Sequence, residues 1–182
     1  MKRSPATSQT ALLAVIEPVC QAHGVELVDA SFVREPGGAI LRVLIDRARG
    51  EGPSEVPGSG VSLADCQGVS RDLSVALDVH QDVTPSGRYR LEVGSPGLDR
   101  PLVKRSDFER FRGREVHVTT RLPLATPSGP VSLGAAAEAT RRRFSGVLQS
   151  VDGDIIRIVD GATVFEIPLE AIAKANLVHR FD

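Results

Sequence analysis

Few residues of this 182-residue chain have types and spacing that could do chemistry. Ser95 stands just after an alternating run, flanked by Gly94 and Gly97 in LEVGSPGLDRPL. A nucleophilic serine on an elbow needs G-x-S-x-G leading into a helix, because that sharp turn exposes the hydroxyl. Here Val93 fills the first glycine position and Pro96 follows the serine, so the pattern fails. His23, His80, His117 and His179 fall at neither metal-ligand nor i, i+4 spacings and read as helix-end or surface residues. Cys20 and Cys66 sit inside apolar helical patterns, as small buried thiols of a reducing compartment do. No catalytic residue, metal site or cofactor is expected, and a hydrolase using Ser95 or Asp99 is the rival reading.

Gly94-Ser95-Pro96-Gly97 also fits the bare G-x-x-G of loops that clamp nucleic-acid backbone, but those loops join two helices and this one leaves a strand. Glycine permits positive φ, and Pro96 and Pro101 fix φ, so the stretch reads as a stiff junction between two domains. Asp99 beside Arg100 could pair locally or point at a partner, and the sequence leaves both open.

Charge divides unevenly along the chain. Residues 1–87 carry seven Arg or Lys against eleven Asp or Glu, residues 88–121 carry nine against five, and residues 122–182 carry six against seven. The positive excess follows the Ser95 loop, which makes a polyanion such as RNA a plausible partner. The expected phosphate contacts are Arg88, Arg90, Arg100, Lys104, Arg105, Arg141, Arg142 and Arg143, and the loop residues Ser95, Gly97 and Asp99 join them as candidate partner-binding positions.

The elements that must position these residues follow from periodicity. A helix is expected from about Thr10 to His23, kinked at Pro18, then a hairpin of VELVDASFV and AILRVLID across Glu35-Pro36-Gly37-Gly38. On the first of those strands Val28, Ala30 and Phe32 share a face. Ser62 with Asp65 is a capping-box start for a helix with the stripe Leu63, Cys66, Val69, Leu73 and Leu77, and RYRLEV follows as a strand. The order α-β-β-α-β gives an α+β N-terminal domain over 1–98, with two helices on one face of a small sheet. After it come short β-rich runs, the last three separated by Asp152-Gly153 and Asp160-Gly161, which predict an SH3-like small barrel over 99–182. RRRFSGV is its expected edge or rim. The stretches 47–60 and 123–140 read as loop insertions, the second with an Ala-rich end that could form a helical turn. No run of about 18 apolar residues spans a membrane. The basic start is followed by a helix broken by Glu17 and Pro18 rather than a signal peptide, so a cytoplasmic monomer is expected.

LEVGSPGLDRPL resembles the signature of the RimP family of bacterial ribosome maturation factors, with Gly94 where the family usually has serine. IEPVCQAHGVELVDASF, DCQGVSRDLSVALD and KANLVHRF resemble the family in order and spacing too. The resemblance implies a non-enzymatic assembly factor that binds the free small (30S) ribosomal subunit. It further implies ribosomal RNA and small-subunit ribosomal protein twelve as partners, the latter through the C-terminal barrel. The Ser95 to Pro101 junction is expected to hold the two domains at a set angle. A general RNA-binding module is the alternative.

Overall fold

A computed structural model describes residues 5–47, 60–84, 87–125 and 140–179, with side chains from Gln9 onward. The chain divides into two units, Met1–Gly97 and Leu98–Asp182. In unit 1, helix α1 spans Pro5–Ala22 and buries Leu12, Ile16 and Cys20 at helical spacing. It begins earlier than periodicity predicts, because proline is tolerated in a first turn where its missing N–H is not needed. Pro18 lies inside α1, and the bond it forfeits, to Ala14, falls on the solvent side, where both residues are exposed.

Strands β1 (Glu26–Glu35) and β2 (Gly38–Asp46) form the expected hairpin. A register shift between Leu27 and Asp29 interrupts the alternation. The helix-facing core therefore holds Leu27 and Ala30 with half-buried Phe32, and Val28 is buried outside that cluster, which corrects the expected face. Helix α2 (Leu63–Val79) starts as predicted: Ser62 Oγ accepts from the Asp65 amide at 3.2 Å, and the Asp65 carboxylate accepts from the Ser62 amide at 2.8 Å. Arg47 adds a 2.9 Å ion pair to that carboxylate. The Ser62 amide first, then Arg47 and the Ser62 hydroxyl, hold Asp65 at about 2 against an ordinary 3.8. Strand β3 (Tyr89–Gly94) returns parallel to β2, giving the order β1-β2-β3. Val69, Leu73 and Leu77 of α2 meet Leu41, Val43 and Ile45 beneath both helices.

Unit 2 opens with a short helix, α3 (Arg105–Arg110), an element not expected from periodicity. Strands β4 (Glu115–Ala125), β5 (Thr140–Asp152), β6 (Ile155–Asp160), β7 (Thr163–Pro168) and β8 (Ile172–Leu177) form one antiparallel sheet in the order β7-β6-β5-β4-β8. Its core is Phe108, Val116, Val118, Phe144, Leu148, Ile156, Ile158, Phe165, Ile167 and Leu177. Among the described residues no ladder joins β7 to β8, so the expected closed barrel is an open five-stranded sheet. The outer side of β8 is already occupied. The Leu102 amide donates to Ala175 O and the Leu177 amide to Arg100 O, each at 2.9 Å, around a Pro101 to Asn176 bridge.

RRRFSGV is not an edge strand either, because β5 lies between β4 and β6. Its arginine end overhangs β6, whose ladder with β5 begins at Val147. Gly146 marks that point: its φ is +153, and a Cβ there would run into the Val159 carbonyl. The 123–140 insertion is shorter than expected, since β4 continues through Ala125 and β5 begins at Thr140. Its Ala-rich end and most of 47–60 lie outside the described residues.

Candidate nucleic-acid interface

The structure distributes the predicted cations over different surroundings. Arg100 is the clearest correction. It is 1% exposed, its Nη2 donates to Asp107 Oδ1 at 3.0 Å, and its guanidinium lies 5.2 Å from the Phe111 ring centre. Asp107 uses its other oxygen to accept the amides of Val103 (3.0 Å) and Lys104 (2.8 Å), which starts α3. A guanidinium held this way cannot reach a phosphate, so Arg100 orders the segment that covers β8.

Arg105 is exposed but paired with Glu109 at 2.8 Å and 3.9 Å from Asp154. Those carboxylates raise its already high pKa and cancel its field. Lys104 is exposed beside it. In unit 1, Arg90 lies 3.8 Å from Glu92, which also pairs with Arg42 at 3.1 Å, and Arg42 in turn reaches Glu35 at 3.0 Å. That face of the sheet is a balanced charge network, with Arg88 exposed just before β3.

The loop residues are structural at close range. Ser95 Oγ accepts the Gly97 amide at 3.2 Å, and Gly97 has φ +69, a left-handed conformation that favours glycine. At Gly94 a Cβ would meet nothing within 4 Å, so the glycine found where serine is usual leaves space rather than avoiding a clash. The Asp99 carbonyl accepts Asn176 Nδ2 at 2.8 Å, which ties the segment before Arg100 to β8.

The arginine run of β5 gathers where the overhang meets β4 and β8. Thr119 is the register partner of both Arg143 and Lys174, so those three share the outer face of the sheet in one row. Both cations are exposed and without a partner among the described residues. Strand β4 is irregular past Thr119, where the buried Thr120 hydroxyl donates to Leu122 O at 2.7 Å. That bend presents the Arg121 carbonyl to Arg142 Nη2 at 2.8 Å, while Arg121 Nε donates to Ile172 O at 3.2 Å. Arg141 lies over Phe165 (5.2 Å) and Phe144 (5.7 Å), capping the end of the core by cation–π contact.

Five cations, Arg121, Arg141, Arg142, Arg143 and Lys174, thus sit at one end of the unit 2 sheet, each exposed. The guanidinium groups of Arg121 and Arg142 each spend part of a five-donor set on carbonyls and keep the rest for solvent or a ligand. The nearest carboxylate on that face of β4 is Glu115, four residues from Thr119 and so about 13 Å along the strand. Sequence reasoning finds the arginine triplet but misses Arg121 and Lys174, which only strand register brings beside it. Between the cationic row and Glu115, His117 and Ser145 face each other as register partners, hydrogen-bonded at 2.6 Å.

Five exposed cations at one end of a sheet have the charge to meet an anionic partner. Over residues 15–99 the chain matches the family model described as the RimP N-terminal domain, a match that supports the RimP family.

Proposed function

We propose that this protein is a non-enzymatic ribosome maturation factor of the cytoplasm that binds the free 30S subunit and assists its late assembly. The match to the RimP N-terminal domain supports the general role, maturation of the ribosome. The observation that supports RNA contact is the cluster of five exposed cations at the end of the β4-β5-β8 surface, where no carboxylate offsets Arg143 or Lys174 among the described residues. Arg88, Arg90, Lys104 and Arg105 join as secondary contacts, Arg90 weakened by Glu92 and Arg105 by Glu109. Such a factor acts by binding a correctly folded subunit intermediate more tightly than a misfolded one, which is how a ligand shifts a population. Unit 2 is read as an open relative of SH3-like barrels that contacts small-subunit ribosomal protein twelve. With the outer side of β8 covered, β7 is the sheet edge left among the described residues for an extended protein segment. No helix among the described residues is long and apolar enough to cross a membrane.

Sedimentation of the protein with free 30S subunits, 50S subunits, whole ribosomes and deproteinised RNA tests this reading. Cosedimentation with 30S alone is expected, with log affinity falling linearly in log salt. Arg143→Gln with Lys174→Gln should flatten that slope by ~0.9 or less per contact removed. Equal binding to deproteinised RNA would favour a general RNA-binding module, and an unchanged slope would remove the cationic row from the interface.

A further inference from the structure

Unit 1 ends its sheet on β3, whose ladder among the described residues is with β2 alone. Backbone donors and acceptors of alternate residues in Tyr89–Gly94 therefore point away from the sheet, which is a template for another extended chain. Unit 2 fills the equivalent position on β8 with its own residues 100–102, and the described part of unit 1 has no such cover for β3.

The seam between α2 and this edge forms an open groove. One cavity of about 650 Å³ is lined by Leu63, Cys66, Arg71, Leu91 and Val93 among others. A second of about 370 Å³ continues along the seam between Ser74, Leu77 and Tyr89, and Leu91 borders both. Tyr89, Leu91 and Val93 point toward the helices yet are only partly buried, so their apolar flanks line the groove.

Charge selects further. Arg71 is exposed in the first hollow and has no partner among the described residues, whereas Glu92 beside it is held by Arg42 at 3.1 Å. The second hollow is lined by one cation, Arg88, and one carboxylate, Asp78. The groove therefore attracts a carboxylate at its Arg71 end and is neutral at the other.

We propose that an extended peptide segment, alternating apolar and polar side chains and carrying a carboxylate at one end, adds to β3 as a fourth strand of the unit 1 sheet. Its backbone pairs with Tyr89–Gly94, alternate apolar side chains enter the two hollows, and its acidic end meets Arg71. This is strand addition with a helix as one wall of the groove.

The test titrates the full-length, isotope-labelled chain with a capped heptapeptide of two glutamates followed by alternating valine and threonine. Amides of Tyr89–Gly94 are expected to shift and to exchange more slowly. Methylating alternate peptide nitrogens, which removes the pairing donors but keeps the side chains, should abolish binding. Arg71→Glu should weaken binding roughly fivefold, and a peptide with two lysines in place of the glutamates should recover that loss on the variant. No binding at millimolar peptide, shifts confined to Thr163–Pro168 of β7, undiminished binding of the methylated peptide, or an unchanged affinity for Arg71→Glu would each overturn the proposal.

Discussion

Removing the Asp107 carboxylate should damage unit 2 far more than removing the Arg100 guanidinium, although the two form one ion pair. Asp107→Ala leaves a guanidinium that is 1% exposed without its counter-ion. Breaking a buried pair from one side costs about 3–5 kcal/mol, because the remaining charge stays desolvated. The same change removes the acceptor for the Val103 and Lys104 amides, a helix-start contact of about 1 kcal/mol. A unit of this length is stabilised by only about 4–13 kcal/mol, so the variant should lose a large part of its fold. Arg100→Met fills similar volume with an apolar chain and leaves Asp107 still accepting both amides, so about 1–3 kcal/mol is expected. Amide hydrogen exchange on the full chain reads the difference, with Val118 and Leu148 reporting unit 2 and Leu41 and Val43 serving as a control in unit 1. Because Arg100 is buried, Arg100→Met should also leave the salt slope of subunit binding unchanged in protein that remains folded. The reasoning fails if Asp107→Ala costs less than about 1 kcal/mol, or if Arg100→Met flattens the salt slope with exchange protection intact.

Asp65 gives a pH dependence of definite sign. Its folded value of about 2 lies below the ordinary 3.8, so its capping contribution is fully present above 3.8 and is lost as pH falls through about 2. Ser62→Ala should move the Asp65 midpoint upward in a carboxyl NMR titration, and an unmoved midpoint would exclude Ser62 as a cause. Gly146→Ala should destabilise unit 2 by about 3 kcal/mol or more, since its Cβ meets the Val159 backbone; denaturant midpoints within about 0.5 kcal/mol of the parent would refute that close approach. Around the Ser95 loop, Gly97→Val should cost about 1–2 kcal/mol at φ +69, whereas Gly94→Ser should be near neutral with nothing within 4 Å of its Cβ. A reversed order in thermal unfolding would show that the loop is held differently.

Local chemistry was legible in the sequence where one short stretch contains the whole cause. The Ser62 and Asp65 box and the Glu35 to Gly38 turn both depend on residues within a few positions of each other. The same holds for the order of elements in unit 1, since helical and strand periods are properties of a window. What failed needed partners distant in the chain. The shift after Leu27 is a matter of register against β2, and it moved Val28 off the expected face. The edge status of RRRFSGV depends on which strands flank β5, and closure of the sheet depends on what occupies β8, here residues more than seventy positions earlier. Charge shows the division most plainly. Summing it along the chain pointed to residues 88–121, yet there Arg100 is buried against Asp107 and Arg105 is cancelled by Glu109. Proximity in the sheet instead set Lys174 and Arg143 on either side of Thr119, because a cation's field depends on distance in space, and only tertiary pairing decides which charges share it.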